Sequence, residues 1–176
     1  MILVLDSSVL NPFARAGRLA DLQRLTDGFD HVTTRAVLDE LARGVAEYPA
    51  LAAIPQQPWL RTVASDSLAE LVAFSEYVRV LGGSSRNIGE SSVLAHAEIH
   101  GAVAFVDDDA AVSAGRTRGV TVRRSLAVVT QGVNRQLLDR SEAIALVDDL
   151  VRVGGARLPC DGAGFEAWAV KRGLLL

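Results

Sequence analysis

Cysteine occurs once in the 176 residues, at Cys160, so no intrachain disulfide can form and the chain suits a reducing compartment. Aromatic residues are scarce, at 5%, which leaves Ala, Val and Leu to fill most of the core. No apolar run is long enough to cross a bilayer. The apolar run at the N-terminus is too short for a signal peptide, lacks a basic flank and is broken by Asp6. These absences together lead us to expect a cytoplasmic protein that works without a membrane. With 49% hydrophobic and 22% charged residues the composition is that of a globular protein, and the length suits one domain with a full-sized core. The net charge of -3 means that any nucleic acid must be met by a local basic patch.

What is present alternates. Ile2-Leu3-Val4-Leu5 reads as a strand buried on both faces and ends abruptly in Asp6-Ser7-Ser8. Val9 to Leu25 reads as helix, divided by Gly17, with Leu19, Leu22 and Leu25 on one face. Phe29 to Thr33 reads as a second strand, and Thr33 or Thr34 caps a helix running through Arg43. Pro49 to Pro58 reads as a loop with a short turn and Leu60 to Val63 as a short strand. A helix begins at Ser65 or Ser67, with Leu68, Leu71, Val72, Val78 and Leu81 at core spacing. Gly82 to Ser85 is a loop but no phosphate loop, since no Gly-Lys-Ser/Thr follows. A helix from Asn87 to His100 precedes a strand from Ala102 to Val106 that ends in Asp107-Asp108-Asp109. Another helix reaches about Arg118 before the strand Val120-Thr121-Val122. This alternation indicates an α/β fold with a parallel sheet. Beyond Leu126 the chain is helical, with Ala143, Leu146, Val147, Leu150 and Val151 as one stripe and Phe165, Trp168 and Ala169 as another. We expect a single domain over residues 1–176, with the sheet and an acidic site in 1–125 and a helical extension in 126–176.

In an open parallel sheet, ligands bind at the carboxyl ends of the strands. Asp6, and Asp107 with Asp108, stand at two such ends, and two helices supply Glu40 and Glu90. Each acid also has an ordinary explanation. Asp6 or a neighbouring serine suits a helix cap. Asn87-x-x-Glu90 has the form of a capping box. Asp107 to Asp109 suit a helix N-terminus. Glu40, inside a helix beside Val37, Leu38 and Leu41, has no capping explanation. Converging carboxylates repel and are costly to bury unpaired, so such a cluster needs a cation. Oxygen ligands without Cys or His favour Mg²⁺ or Mn²⁺, and the natural chemistry is attack of an activated water on a phosphodiester.

Four segments in register, Ile2 to Leu10, Thr33 to Leu41, Gly89-Glu90 with its Ala-rich helix, and Ala104 to Asp108, resemble the PIN-domain family of nucleases over most of residues 1–130. The resemblance implies a three-layer α/β/α fold with a central parallel sheet, and Mg²⁺- or Mn²⁺-dependent cleavage of RNA. By position it implies Asp6, Glu40, Glu90 and Asp108 as the catalytic acids. Asp6, Glu90, Asp108 and its alternate Asp107 are the implied metal ligands, and Ser8 falls where the family has a hydrogen-bonding residue near the metal. The part after Leu126 looks like the longer helical C-terminus of some PIN proteins, not the shorter toxin type. This chain departs from many relatives in Val112, where they carry Arg, and in Arg124-Ser125, where they carry a Gly-Thr or Gly-Ser pair. A toxin role would imply an antitoxin partner, and relatives often form homodimers.

Among the remaining features, Arg35, Arg86, Arg116, Arg118, Arg123 and Arg124 are candidates for a phosphate-binding rim, with Arg86, Arg116 and Arg118 put forward for nucleic acid. His96 and His100 lie one helical turn apart, a spacing that can bind zinc. Their order is not His-Glu-x-x-His, neither shares the helical face of Glu90, and a surface or partly buried pair is the plainer reading. Trp59 and Trp168 can stack bases or pack the core. Two other functions compete: a non-catalytic nucleic-acid-binding or protein-interaction module on the same fold, and a phosphoacceptor receiver domain. The receiver needs a lysine at a late strand end, and the sole lysine is Lys171 in the last helix.

Overall fold

Leu3, Val4 and Leu5 are fully buried, and β1 (Ile2–Leu5) accordingly lies at the centre of the sheet. The computed structural model describes residues 1–64, 66–82 and 87–175. Strands β2 (Asp30–Thr34), β3 (Leu60–Val63), β4 (Val103–Phe105) and β5 (Thr121–Arg123) complete a sheet of order β3-β2-β1-β4-β5, with every pairing parallel. The flanking helices are α1 (Ser7–Arg15), α2 (Leu19–Leu25), α3 (Arg35–Gly44), a 3₁₀ helix (Pro49–Gln56), α4 (Leu68–Leu81), α5 (Ile88–His100), α6 (Asp109–Thr117), α7 (Ser125–Asn134), α8 (Arg140–Arg152) and α9 (Gly162–Lys171). The result is a three-layer α/β/α fold, as the sequence implies. No helix among the described residues is long and apolar enough to cross a membrane.

The strand order carries the functional geometry. From β1 the chain winds outward through β2 and β3, then crosses back to the other side of β1 to form β4 and β5. The direction of winding reverses between β1 and β4, which is where a parallel sheet opens a crevice. Asp6 follows β1 there, and its N–H donates to the Phe105 carbonyl at 3.1 Å, which extends the ladder to the lip of that crevice. The C-terminal helices close one side. Arg18 bridges to Asp149 of α8 at 2.5 Å, and Gly154 lies so close that a Cβ would stand 2.6 Å from the Pro12 carbonyl oxygen.

Two local expectations are corrected. On α4 the side chains turned inward are Glu70, Ala73 and Tyr77, while Leu68, Leu71 and Val72 are at least half exposed and Val78 and Leu81 only half-buried. The inward place of Glu70 is stabilised by imidazoles of α5, so a carboxylate occupies a position the hydrophobic spacing assigned to leucines. At the start of α5, Asn87 makes no side-chain cap, so the capping box suggested by Asn87-x-x-Glu90 is not formed and Glu90 turns elsewhere. Ser67 caps α4, accepting the Glu70 N–H at 3.1 Å. Ser65, the loop residues Gly83, Ser84 and Ser85, and Arg86 lie outside the described residues.

Candidate active site

Asp6 serves two purposes. Its backbone is extended, and Oδ2 accepts the Ser8 N–H at 2.8 Å, which caps α1 as the ordinary reading requires. Its other oxygen, Oδ1, is buried with no hydrogen-bond partner among the described residues. Glu40 is similar: Oε1 accepts the Ser7 hydroxyl at 3.0 Å, and Oε2 is buried and unpartnered. Glu90, in the first turn of α5, adds a third such oxygen, Oε2. Gly89 brings them together. A Cβ on Gly89 would lie 2.6 Å from Glu40 Oε2 and 3.6 Å from Asp6 Oδ1, so two of the orphaned oxygens face the same small space beside the first turn of α5. Only glycine lets the helix approach so closely.

The charges respond to this crowding. Burial pushes the Asp6 carboxyl up to about 6, with the Glu40 charge adding to it. Burial pushes Glu90 up to about 8, reinforced by Asp6, Glu40 and Asp108. Glu40 is raised too, chiefly by burial. Unpartnered buried carboxylate oxygens carry a full desolvation penalty. Hard oxygen donors in this arrangement fit a divalent cation such as Mg²⁺ or Mn²⁺.

Asp107 and Asp108 differ in what they hold. Asp107 Oδ1 accepts the Ser125 N–H at 2.9 Å and Oδ2 accepts the Ser125 hydroxyl at 2.6 Å, so this acid fastens the start of α7 to the end of β4. Burial still raises its carboxyl. Asp108 caps α6, accepting the Ala111 N–H on Oδ1 at 2.9 Å, and is otherwise exposed to the cleft. Ser8 joins the two strand ends, its Oγ accepting the Asp107 N–H at 3.0 Å. Above these acids lies an open cleft of about 610 Å³, lined by Ser7, Ser8, Glu40, Glu90, Asp107 and Asp108, with Asp6 beneath its floor.

A family profile described as a PIN domain matches residues 2–161. The chain belongs to the PIN-domain family. No curated protein matches it. PIN domains are generally nucleases that use divalent metals. The match runs past β5 and through α8, so it takes in much of the helical extension.

In this PIN domain Asp6, Glu40, Glu90 and Asp108 come from four separate elements to one cleft. No three of them bring oxygens within 4.8 Å of one another; among the described residues that closeness is met by Glu70, His96 and His100. The arginines fall into three groups. Arg118 donates to both oxygens of Glu98, at 2.8 and 2.7 Å, which ties it to α5 instead of the cleft. Arg116 lines a second groove of about 810 Å³ next to the cleft, with Arg123, Arg124, Arg172 and Trp168. Arg35 lies elsewhere, near Phe74. Trp59 donates to Gln57 and packs edge-on against His31.

Several residues of the PIN cleft went unnoticed in the sequence. Asn11 and Arg15 line it together with Ser7, at i, i+4 and i+8 on α1. That polar stripe was legible from its period. Gly154, Gly155, Ala156 and Arg157 form the opposite wall, and Arg157 borders both the cleft and the basic groove. They follow α8, far along the chain, and no local pattern announces them. Val112, where many relatives carry arginine, is buried in α6.

Proposed function

We propose that the chain is a metal-dependent endoribonuclease that hydrolyses RNA phosphodiester bonds in the cleft between β1 and β4, as one domain spanning residues 1–176 in the cytoplasm. The observation that carries this is the set of three buried, unpartnered carboxylate oxygens on Asp6, Glu40 and Glu90 at the point where the sheet reverses its winding. Asp6, Glu90 and Asp108 would hold Mg²⁺ or Mn²⁺, with Asp107 as the alternate to Asp108. When bound, the ion supplies positive charge that offsets the acids and the phosphate and makes a water acidic enough to attack at neutral pH. Glu40, already oriented by Ser7, would position that water or complete the acidic shell. Ser8 keeps Asp6 and the β4 end at a fixed separation by bonding to both. Arg15 and Arg157 on the rim, and Arg116 in the adjoining basic groove, would grip phosphates, which position a nucleic acid without reading its bases.

A protein partner, either a second copy of the chain or an antitoxin in a toxin pair, is supported by the exposed Leu68, Leu71 and Val72 on one face of α4. A second reading, a non-catalytic binding module, is favoured by one observation: both oxygens of Asp107 are already bonded to Ser125. The test is cleavage of cellular RNA by the full chain, with Mn²⁺ and with a chelator, beside Asp6→Asn. A ribonuclease cuts only with the metal and only when Asp6 is intact. RNA binding without cutting, and Mn²⁺ binding independent of Asp6, would establish the module.

A further inference from the structure

The last turn of α5 and the first turn of α4 hold a cluster that the acidic cleft does not use. The His96 Nδ1 lies 2.7 Å from Glu70 Oε1, and the His100 Nε2 lies 3.3 Å from the same oxygen. The two imidazole rings are 4.2 Å apart, centre to centre. All three ligand atoms lie within 4.8 Å of one another. Two of the chain's three histidines are therefore aimed at one buried carboxylate from a neighbouring helix.

We propose that Glu70, His96 and His100 form a binding site for a borderline transition-metal cation of the zinc class, separate from the acidic cleft, that staples α4 to α5. Imidazole nitrogen with carboxylate oxygen is a donor set for zinc and not for magnesium, which prefers oxygen alone. With zinc bonds near 2.0–2.2 Å, tetrahedral ligand atoms stand ~3.3 Å apart. The His100–Glu70 separation of 3.3 Å already has that length. The His96 contact, at 2.7 Å, has the length of a hydrogen bond, with a proton between Nδ1 and Oε1 where a cation would stand. Moving that proton from Nδ1 to Nε2 frees the ligand atom without changing the charge.

Four surroundings favour a cation. Ser67 donates its hydroxyl to Glu70 Oε2 at 3.3 Å, which orients the carboxylate from outside. His96 and His100 stand in the last turns of α5, whose free carbonyls present negative charge. His96 is buried, and a neutral imidazole, the form that coordinates metals, is cheaper to bury than a charged one. The cluster opens to solvent through a cleft of about 490 Å³ that Asp66 also lines, which gives an entry path and a further carboxylate. Arg61 lines the same cleft and opposes a cation, but it is exposed and its charge is screened by water. None of the residues lining this cleft lines the acidic one. Glu90 and His100 stand ten residues apart on α5, ~15 Å along the helix axis.

The test uses the full chain without a histidine tag, stripped of metal. Zinc is titrated against a chromogenic chelator, and cobalt(II) is added separately for its visible absorption. Wild type is compared with His100→Ala, chosen because the His100 side chain is 42% exposed, and with Asp6→Asn. The proposal expects one zinc per chain at this site, an intense cobalt band of four-coordinate geometry, and a thermal midpoint raised by zinc. In His100→Ala the zinc affinity falls about tenfold or more, the cobalt band disappears and the zinc-dependent stabilisation is lost. In Asp6→Asn all three persist. Equal zinc affinity in wild type and His100→Ala overturns the proposal, as does zinc binding abolished by Asp6→Asn. Melting in chelator confirms that His100→Ala is folded, and Glu70→Gln must repeat its effect on the cobalt band.

Discussion

Replacing Asp6 with Asn should make the metal-free protein more stable while it loses its metal response. Burial holds the Asp6 carboxyl near 6, against an ordinary value of 3.8. At neutral pH the folded protein carries a charge that the unfolded chain accommodates more easily, a penalty of ~3 kcal/mol at 1.36 kcal/mol per pKa unit. Because the folded value lies above the unfolded one, this stability is fully present below the unfolded value and is lost as pH rises through about 6. An asparagine can still accept the Ser8 N–H and present an amide to the crowded acids, so most of the penalty disappears. The expected gain is ~1–3 kcal/mol, or roughly 2–10 °C for a chain of this size. The assay is thermal unfolding in chelator at pH 7.5 and pH 5, repeated with saturating Mn²⁺. The advantage of the variant should shrink by about half at pH 5, where wild-type Asp6 is largely protonated. Manganese at about 100 times its dissociation constant should add ~2.7 kcal/mol to wild type and nothing to the variant. A variant no more stable than wild type at pH 7.5 without metal would refute the claim that Asp6 is a desolvated, unpaired charge.

Glu90→Gln should flatten the loss of stability that metal-free wild type shows as pH rises through about 8, read from melts between pH 6 and 9. Gly89→Ala drives a Cβ against Glu40 Oε2, so Mn²⁺-dependent RNA cleavage should fall at least tenfold while stability drops by ~1–3 kcal/mol. Arg157→Ala, on the rim shared by the cleft and the basic groove, should raise KM for RNA with kcat retained and reduce the salt dependence of binding. Arg118→Ala should leave RNA affinity unchanged and lower the thermal midpoint, because its partner is Glu98 and not a phosphate.

The sheet and its acids were legible because their signals are local. A four-residue aliphatic run ending in Asp6 can be little else than a buried strand reaching an edge, and the strand before Asp107-Asp108 repeats the pattern. The misreadings occur where a polar group meets its partner across the fold. Glu70 faces inward only because two imidazoles 26 and 30 residues later receive it, so the spacing of Leu68, Leu71 and Val72 pointed the wrong side of α4 to the core. Asn87 and Glu90 have the letters of a capping box, but the place of Glu90 beside the cleft cannot be read from those four residues. Arg118 looked free because Glu98 lies on another element. The cleft wall at Gly154 to Arg157 depends on how α8 docks on α1, which no window of sequence contains.

The four cleft acids are scattered over the first 108 positions of the chain, and the last of them, Asp108, is carried to the cleft by β4, which pairs beside β1. A polypeptide interrupted before that strand is made would hold Asp6, Glu40 and Glu90 but lack Asp108. Local unravelling of β4 would scatter the set in the same way, so under the proposed function any cutting of RNA would wait for completion of the sheet.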